Sequence, residues 1–154
     1  MFYGIAAAIA VFIVIFDQVF KTWICNTLAL GDTIPFLSGL MHLTRLHNYG
    51  AAFSIFVGQR WPLIVITILY LAVVVLLLRK KVLKSRGALI GLAMVTGGAI
   101  GNLIDRFRFG YVVDMFALDL FDFPVFNIAD IFVVCGAIVF CIFFLLEDRK
   151  EPKA

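Results

Sequence analysis

Two aspartates, Asp114 and Asp130, stand close in the chain, with Phe123-Pro124 between them to turn it back on itself. A strand ending at Asp114 and a helix beginning at Asp130 would bring the two carboxyls face to face. Facing carboxylates cannot both ionise cheaply, so one pKa rises and the pair shares a proton. One member then serves as base toward a water while the other, protonated, polarises a carbonyl, which is the chemistry peptide hydrolysis needs. The competing catalytic signatures are missing from the sequence: no Ser-His-Asp order, no metal-ligand set and no glycine-rich phosphate loop. The reading therefore calls for neither a metal nor a cofactor.

Other polar residues gather in the same segments. They are Asp17 and Lys21; Asn48 in Asn48-Tyr49-Gly50-Ala51-Ala52-Phe53; Asn102, Asp105 and Arg106 closing the run from Gly97; and Asn127 in Phe126-Asn127-Ile128-Ala129-Asp130. Each also has a plain structural reading. Asp17 and Lys21 have the i,i+4 spacing of a helix-surface ion pair. Asn127 and Asp130 are spaced like an N-cap and its N3 acid. Asp105 and Arg106 would form a structural pair at a helix end, Asp114 alone would be a solvated loop acid, and Gly97, Gly98 and Gly101 would allow close helix contact. Asn102 and Arg106 share a helical face, whereas Asp105 is turned about 100° from Arg106. If Asn102 faces the Asp114–Asp130 pair, the Arg106 fork does too, one turn nearer the water, to bind a backbone carbonyl of a substrate. The alternative is a salt bridge to Asp119 or Asp122. His42 and His47 carry no assignment. Cys25, Cys135 and Cys141, odd in number and irregular in spacing, read as small hydrophobes.

The elements that must position these residues are membrane spans. Of 154 residues, 64% are hydrophobic and only 15% charged, far from soluble globular composition. The net charge of +3 comes without a basic block of the nucleic-acid-binding kind. Four apolar stretches, over about residues 2–25, 61–78, 88–105 and 128–146, suit spanning helices. The first lacks the Lys or Arg of a signal-peptide n-region and is interrupted by Asp17 and Lys21, so it reads as a retained helix. Arg79-Lys80-Lys81-Val82-Leu83-Lys84-Ser85-Arg86 and the tail residues Arg149, Lys150 and Lys153 belong in the cytoplasm by the positive-inside rule, with both termini. The loops at about 29–60 and 105–126 then face outward. Within them Met41–Leu46 and Gly110–Met115 read as short strands of a small sheet on the membrane surface. The expectation is a single domain over residues 1–154: an all-α membrane protein of four transmembrane helices with a small extracytoplasmic sheet. The charged tail from Glu147 is expected to fray.

Taken together, Asp17-Gln18-Val19-Phe20-Lys21, Asn48 through Phe53, Gly97 through Arg106, Val112-Val113-Asp114 and Phe126 through Asp130 resemble, in order and over most of the chain, the lipoprotein signal peptidases, or signal peptidase II family. The resemblance implies an outer β-cradle, Asp114 and Asp130 as catalytic dyad, and Asn48, Gly50, Asn102, Arg106 and Asn127 as substrate-binding or dyad-supporting residues. Asp17, Lys21 and Asp105 look like supporting positions. It further implies a monomer in the bacterial cytoplasmic (inner) membrane, with its active site at the extracytoplasmic face. The implied substrate is a prolipoprotein bearing diacylglycerol on a cysteine, cut just before that cysteine and reached through membrane lipid. Two residues depart from the family pattern: Met115, where Phe is frequent, and Ile131, where Ser is common. Two other classes compete with this reading. One is a small transporter, with Asp17, Asp114 and Asp130 as a cation relay. The other is a non-catalytic membrane assembly factor.

Overall fold

Within hydrocarbon every backbone polar group must be satisfied inside the protein, so long apolar runs become helices. The computed structural model describes residues 2–50 and 56–148. Four helices, α1 (Phe2–Thr27), α2 (Arg60–Arg79), α3 (Arg86–Phe109) and α4 (Ile128–Asp148), correspond to the expected stretches. All are long and apolar enough to cross a membrane. Ala51-Ala52-Phe53 of the motif after Asn48, and the tail charges Arg149, Lys150 and Lys153, lie outside the described residues.

The least hydropathic helix is the central one. The most apolar α3 window has mean hydropathy 1.7 and is half buried, against 2.8 and 17% for α2 and α4. Glycines let neighbouring backbones close on it. A Cβ on Gly97 would lie 2.9 Å from the Ala10 carbonyl of α1, and one on Gly98 would run into the Ala129 carbonyl of α4. The packing role expected for Gly97 and Gly98 is thus observed. Gly101 does more: a Cβ there would lie 2.6 Å from Asp17 Oδ2, so this glycine makes room for a buried carboxylate. Helix α3 starts at an N-cap Ser85 and ends at Gly110, whose φ of 81° is the left-handed conformation glycine adopts freely.

At one end of the bundle lies a sheet with one strand more than expected. Strands β1 (Thr33–Leu37), β2 (Met41–Asn48) and β3 (Val112–Leu118) pair antiparallel in the order β1-β2-β3. β1 is short and carries Pro35, tolerable because it is an edge strand. The sheet packs through Leu43, Val113, Met115 and Phe116 onto Ile24 and Leu28 of α1 and its exit, and onto Ile128 of α4. Met115 is wholly buried in this cluster, so its departure from the family pattern is a matter of core packing. Arg45 of β2 reaches back to the end of α1, donating from Nη1 to the Cys25 and Leu28 carbonyls, each at 3.1 Å. It thereby satisfies carbonyls that a helix terminus leaves open.

Candidate active site

Two features of the local structure deliver the aspartates to one place. The first is the β2–β3 register, in which Leu46 opposes Asp114 and Asn48 opposes Val112. The second is the return of the chain after β3. The Phe126 carbonyl accepts from Met115 N at 3.0 Å and Phe116 N at 2.8 Å, and Phe126 N donates back to the Phe116 carbonyl. This bridge seats Asn127 beside the strand and starts α4 there. Asn127 and Asp130 then form a reciprocal cap: Asp130 N donates to Asn127 Oδ1 at 2.9 Å, and Asn127 N donates to Asp130 Oδ2 at 3.2 Å.

Both carboxylates are ringed by donors. Asp114 accepts from Asn48 Nδ2 at 2.8 Å and from Asn127 Nδ2 at 2.6 Å. Asp130 accepts from Asn102 Nδ2 at 2.8 Å, besides the Asn127 backbone. Asn127 Nδ2 also reaches Asn102 Oδ1 at 3.1 Å, which ties the surroundings of the two acids together. Asp114 is 1% exposed, so it is no solvated loop acid. Burial, reinforced by the charge of Asp130, pushes its pKa up from 3.8 to about 7, against the opposing pull of the Asn48 and Asn127 amides. Asp130 is half-buried and opens, with Asp114, onto a groove of about 900 Å³. Asn48, Asn102 and Arg106 line its polar side; Phe123, Val125, Ile131, Val134 and others form an apolar wall. Ile131 therefore faces the groove, where its lack of a hydroxyl makes the wall drier.

Arg106 points where its helical face predicts. Nη2 donates to the Gly50 carbonyl at 3.0 Å and Nη1 to the Asn102 carbonyl at 3.4 Å. Gly50 thus enters the site through its backbone. Asp119, one of the two acids named as alternative partners for Arg106, instead meets His42 Nδ1 at 2.5 Å.

Two expectations need correction. The Asp17–Lys21 pair exists at 2.9 Å but is buried rather than on a helix surface. Lys21 Nζ also contacts Asp105 Oδ2 at 3.0 Å and donates to Asn102 Oδ1 at 2.9 Å. Asp105 pairs with Lys21 instead of Arg106, and its Oδ2 also accepts Val113 N at 3.1 Å. Asp17 Oδ1 accepts Ala129 N of α4 at 3.0 Å. The acids of α1 and α3 thus pin the backbone at the residues just before Asp130 and Asp114. Gln18, without an expected role of its own, joins this network. It donates to Asp105 Oδ1 at 2.8 Å and to the Gly101 carbonyl at 3.2 Å. An amide in the middle of an apolar helix, beside Asp17, is the available signal.

A four-span bundle carrying donor-ringed carboxylates at the membrane end of a sheet defines a class, the small polytopic membrane aspartic proteases. Residues 9–146 match the family described as "Signal peptidase (SPase) II". The chain is 43% identical over 140 residues to a lipoprotein signal peptidase of Lactococcus lactis subsp. cremoris (strain MG1363), covering 91% of each chain. It is 42% identical over 139 residues to that of Enterococcus faecalis (strain ATCC 700802 / V583), covering 89% of this chain and 86% of the other. A solved "Bacterial membrane enzyme structure by the in meso method at 2.3 A resolution" superposes with a TM-score of 0.89 at 36% identity, over 98% of this chain and 94% of that one. The chain belongs to the signal peptidase II family, aspartic-type proteases that remove signal peptides from prolipoproteins.

Proposed function

We propose that Asp114 and Asp130 are the catalytic dyad of a prolipoprotein signal peptidase. The observation that carries this reading is the convergence of the Asn48, Asn102 and Asn127 amides and one backbone N–H on these two carboxylates. Burial keeps the shared proton on the Asp114 side, while Asp130, open to the groove, is the base. Asp130 takes a proton from a water whose oxygen attacks the scissile carbonyl carbon, and Asp114 gives its proton to the carbonyl oxygen. Collapse of the tetrahedral diol breaks the C–N bond. The proton on Asp130 goes to the leaving amine, and a diol hydroxyl returns one to Asp114. A carboxylic acid and an amine result.

The substrate in this reading carries diacylglycerol on the cysteine that follows the cut. A signal peptide is itself an apolar helix and arrives through the lipid, and the apolar wall of the groove suits acyl chains. Arg106, fixed on the Gly50 carbonyl, offers its remaining donors to the extended peptide. The enzyme acts as a monomer in the cytoplasmic membrane with this site facing outward. Support for that orientation comes from the basic segment Arg79–Arg86, which joins the opposite ends of α2 and α3. Cleavage of lipidated against unlipidated prolipoprotein by purified enzyme tests the substrate assignment. The lipidated form is expected to be cut and the other left intact, and equal cleavage of both would refute it.

A further inference from the structure

An asparagine amide helps a carboxylate only when its NH2 end, not its oxygen, faces that carboxylate. Each of the site's amides has its oxygen held by a donor. Asn48 Oδ1 accepts Gly50 N at 2.9 Å, and Asn127 Oδ1 accepts Asp130 N at 2.9 Å. In both cases the lock is a backbone N–H of the same segment. Asn102 differs. Its Oδ1 takes the Lys21 ammonium of α1 at 2.9 Å, supplemented by Asn127 Nδ2 at 3.1 Å. An ammonium has three donors and no acceptor. Flipped, the amide would present NH2 to that ammonium and its oxygen to the Asp130 carboxylate, so both contacts would turn repulsive.

We infer that Lys21 is a positioning residue for the reaction, acting through Asn102: donating to Asn102 Oδ1, it turns that amide so that its NH2 holds Asp130. This rests on the dyad reading above. Lys21 is 3% exposed. Its remaining donors go to Asp17 and Asp105, which hold the ammonium in place. A buried ion network is thereby converted into the orientation of one neutral amide. The charged groups around Asn102 are Asp17 and Lys21 on α1, Asp105 and Arg106 on α3, Asp114 on β3 and Asp130 on α4.

A double-mutant cycle tests whether Lys21 acts through Asn102. It compares kcat, KM and the pH dependence of kcat for the wild type, Lys21→Met, Asn102→Leu and the double variant, all as purified full chains with lipidated substrate. Lys21→Met is expected to lower kcat about tenfold in the wild type, but less than about twofold once Asn102 is Leu. KM should change little. The pH profile of kcat should change with the substitution, because nothing then keeps the NH2 end of Asn102 turned toward Asp130. Equal fold losses in both backgrounds, or a wild-type kcat and profile in Lys21→Met, would overturn the inference. If Lys21→Met does not fold, the same cycle is run in an Asp105→Asn background, which removes one of the two carboxylates that lose the ammonium, and the same coupling decides. Asp130→Asn, measured alongside, separates the two claims. An active Asp130→Asn sinks the dyad reading, whereas an inactive one with an additive cycle sinks only the role of Lys21.

Discussion

Asn127 holds Asp114 from the cap of the helix that carries Asp130: its Nδ2 lies 2.6 Å from Asp114 Oδ1. The same side chain caps that helix by accepting Asp130 N. The two duties are separable. Asn127→Ser keeps a capping oxygen but is too short to reach Asp114, whereas Asn127→Ala loses both. Thermal or chemical denaturation should show Ser more stable than Ala by about 1 kcal/mol. Cleavage assays should show both strongly impaired. Full activity in Asn127→Ser would mean that the contact with Asp114 is dispensable.

The elevated pKa of Asp114 sets a pH dependence with a definite sign. Burial is the main cause and the Asp130 charge the second, and together they raise it from 3.8 to about 7. Between those values the folded protein keeps a proton that the unfolded chain releases. The stability Asp114 contributes is therefore present below the unfolded value and is lost as pH rises through the folded one. Melting curves from about pH 4 to about pH 8 should show this decline, and Asp114→Asn should flatten it. The kcat of the wild type should fall on the alkaline side of about pH 7 as the shared proton leaves. A kcat still rising beyond about pH 9 would contradict the assignment.

Arg106 is the residue whose two readings differ most in consequence. Its contacts are with backbone carbonyls, not acids. Arg106→Lys keeps the charge and loses the planar fork. Cleavage efficiency should drop about tenfold or more with little change in melting temperature. Unchanged cleavage with lowered stability would make Arg106 a purely structural tether of the Gly50 segment.

Close packing of α3 on α4 makes its own prediction. A Cβ on Gly98 would meet the Ala129 carbonyl and come within 2.8 Å of Val133 Cγ2. Because one neighbour is backbone, relief requires the helices to part. Gly98→Ala should destabilise the protein by about 1–3 kcal/mol, as overpacking typically does. It should also reduce activity, since Ala129 adjoins Asp130. A melting temperature equal to the wild type would show that the interface yields freely.

How far these features could be read from residues alone depended on whether they are local. Spans follow from apolar length, so α1 to α4 match their expected ranges within a few residues. The Asn127–Asp130 cap follows from spacing and is found as expected. Strand β1 escaped because Thr33–Leu37 is short, holds a proline and buries almost nothing, leaving no alternation to detect. The Asp17–Lys21 pair was visible as an i,i+4 spacing. Its burial was not, because it depends on α3 approaching α1 through Gly97 and Gly101, a tertiary event without local signature. For the same reason Asp105 was matched to its chain neighbour Arg106, although its partner Lys21 comes from another helix. Arg45 looked like an ordinary strand residue. Its role as a cap for α1 appears only when the sheet is laid against the bundle.

Whether Asp114 and Asp130 act together as the dyad is decided by Asp114→Asn and Asp130→Asn. Asparagine preserves size and much of the hydrogen bonding but cannot hold or transfer the shared proton. Single-turnover cleavage of a purified, lipidated prolipoprotein should be measured for each variant, with folding verified by its melting curve. The dyad assignment requires that each variant fold and lose about a hundredfold or more in rate. A folded variant of either residue that cleaves at near the wild-type rate would contradict it.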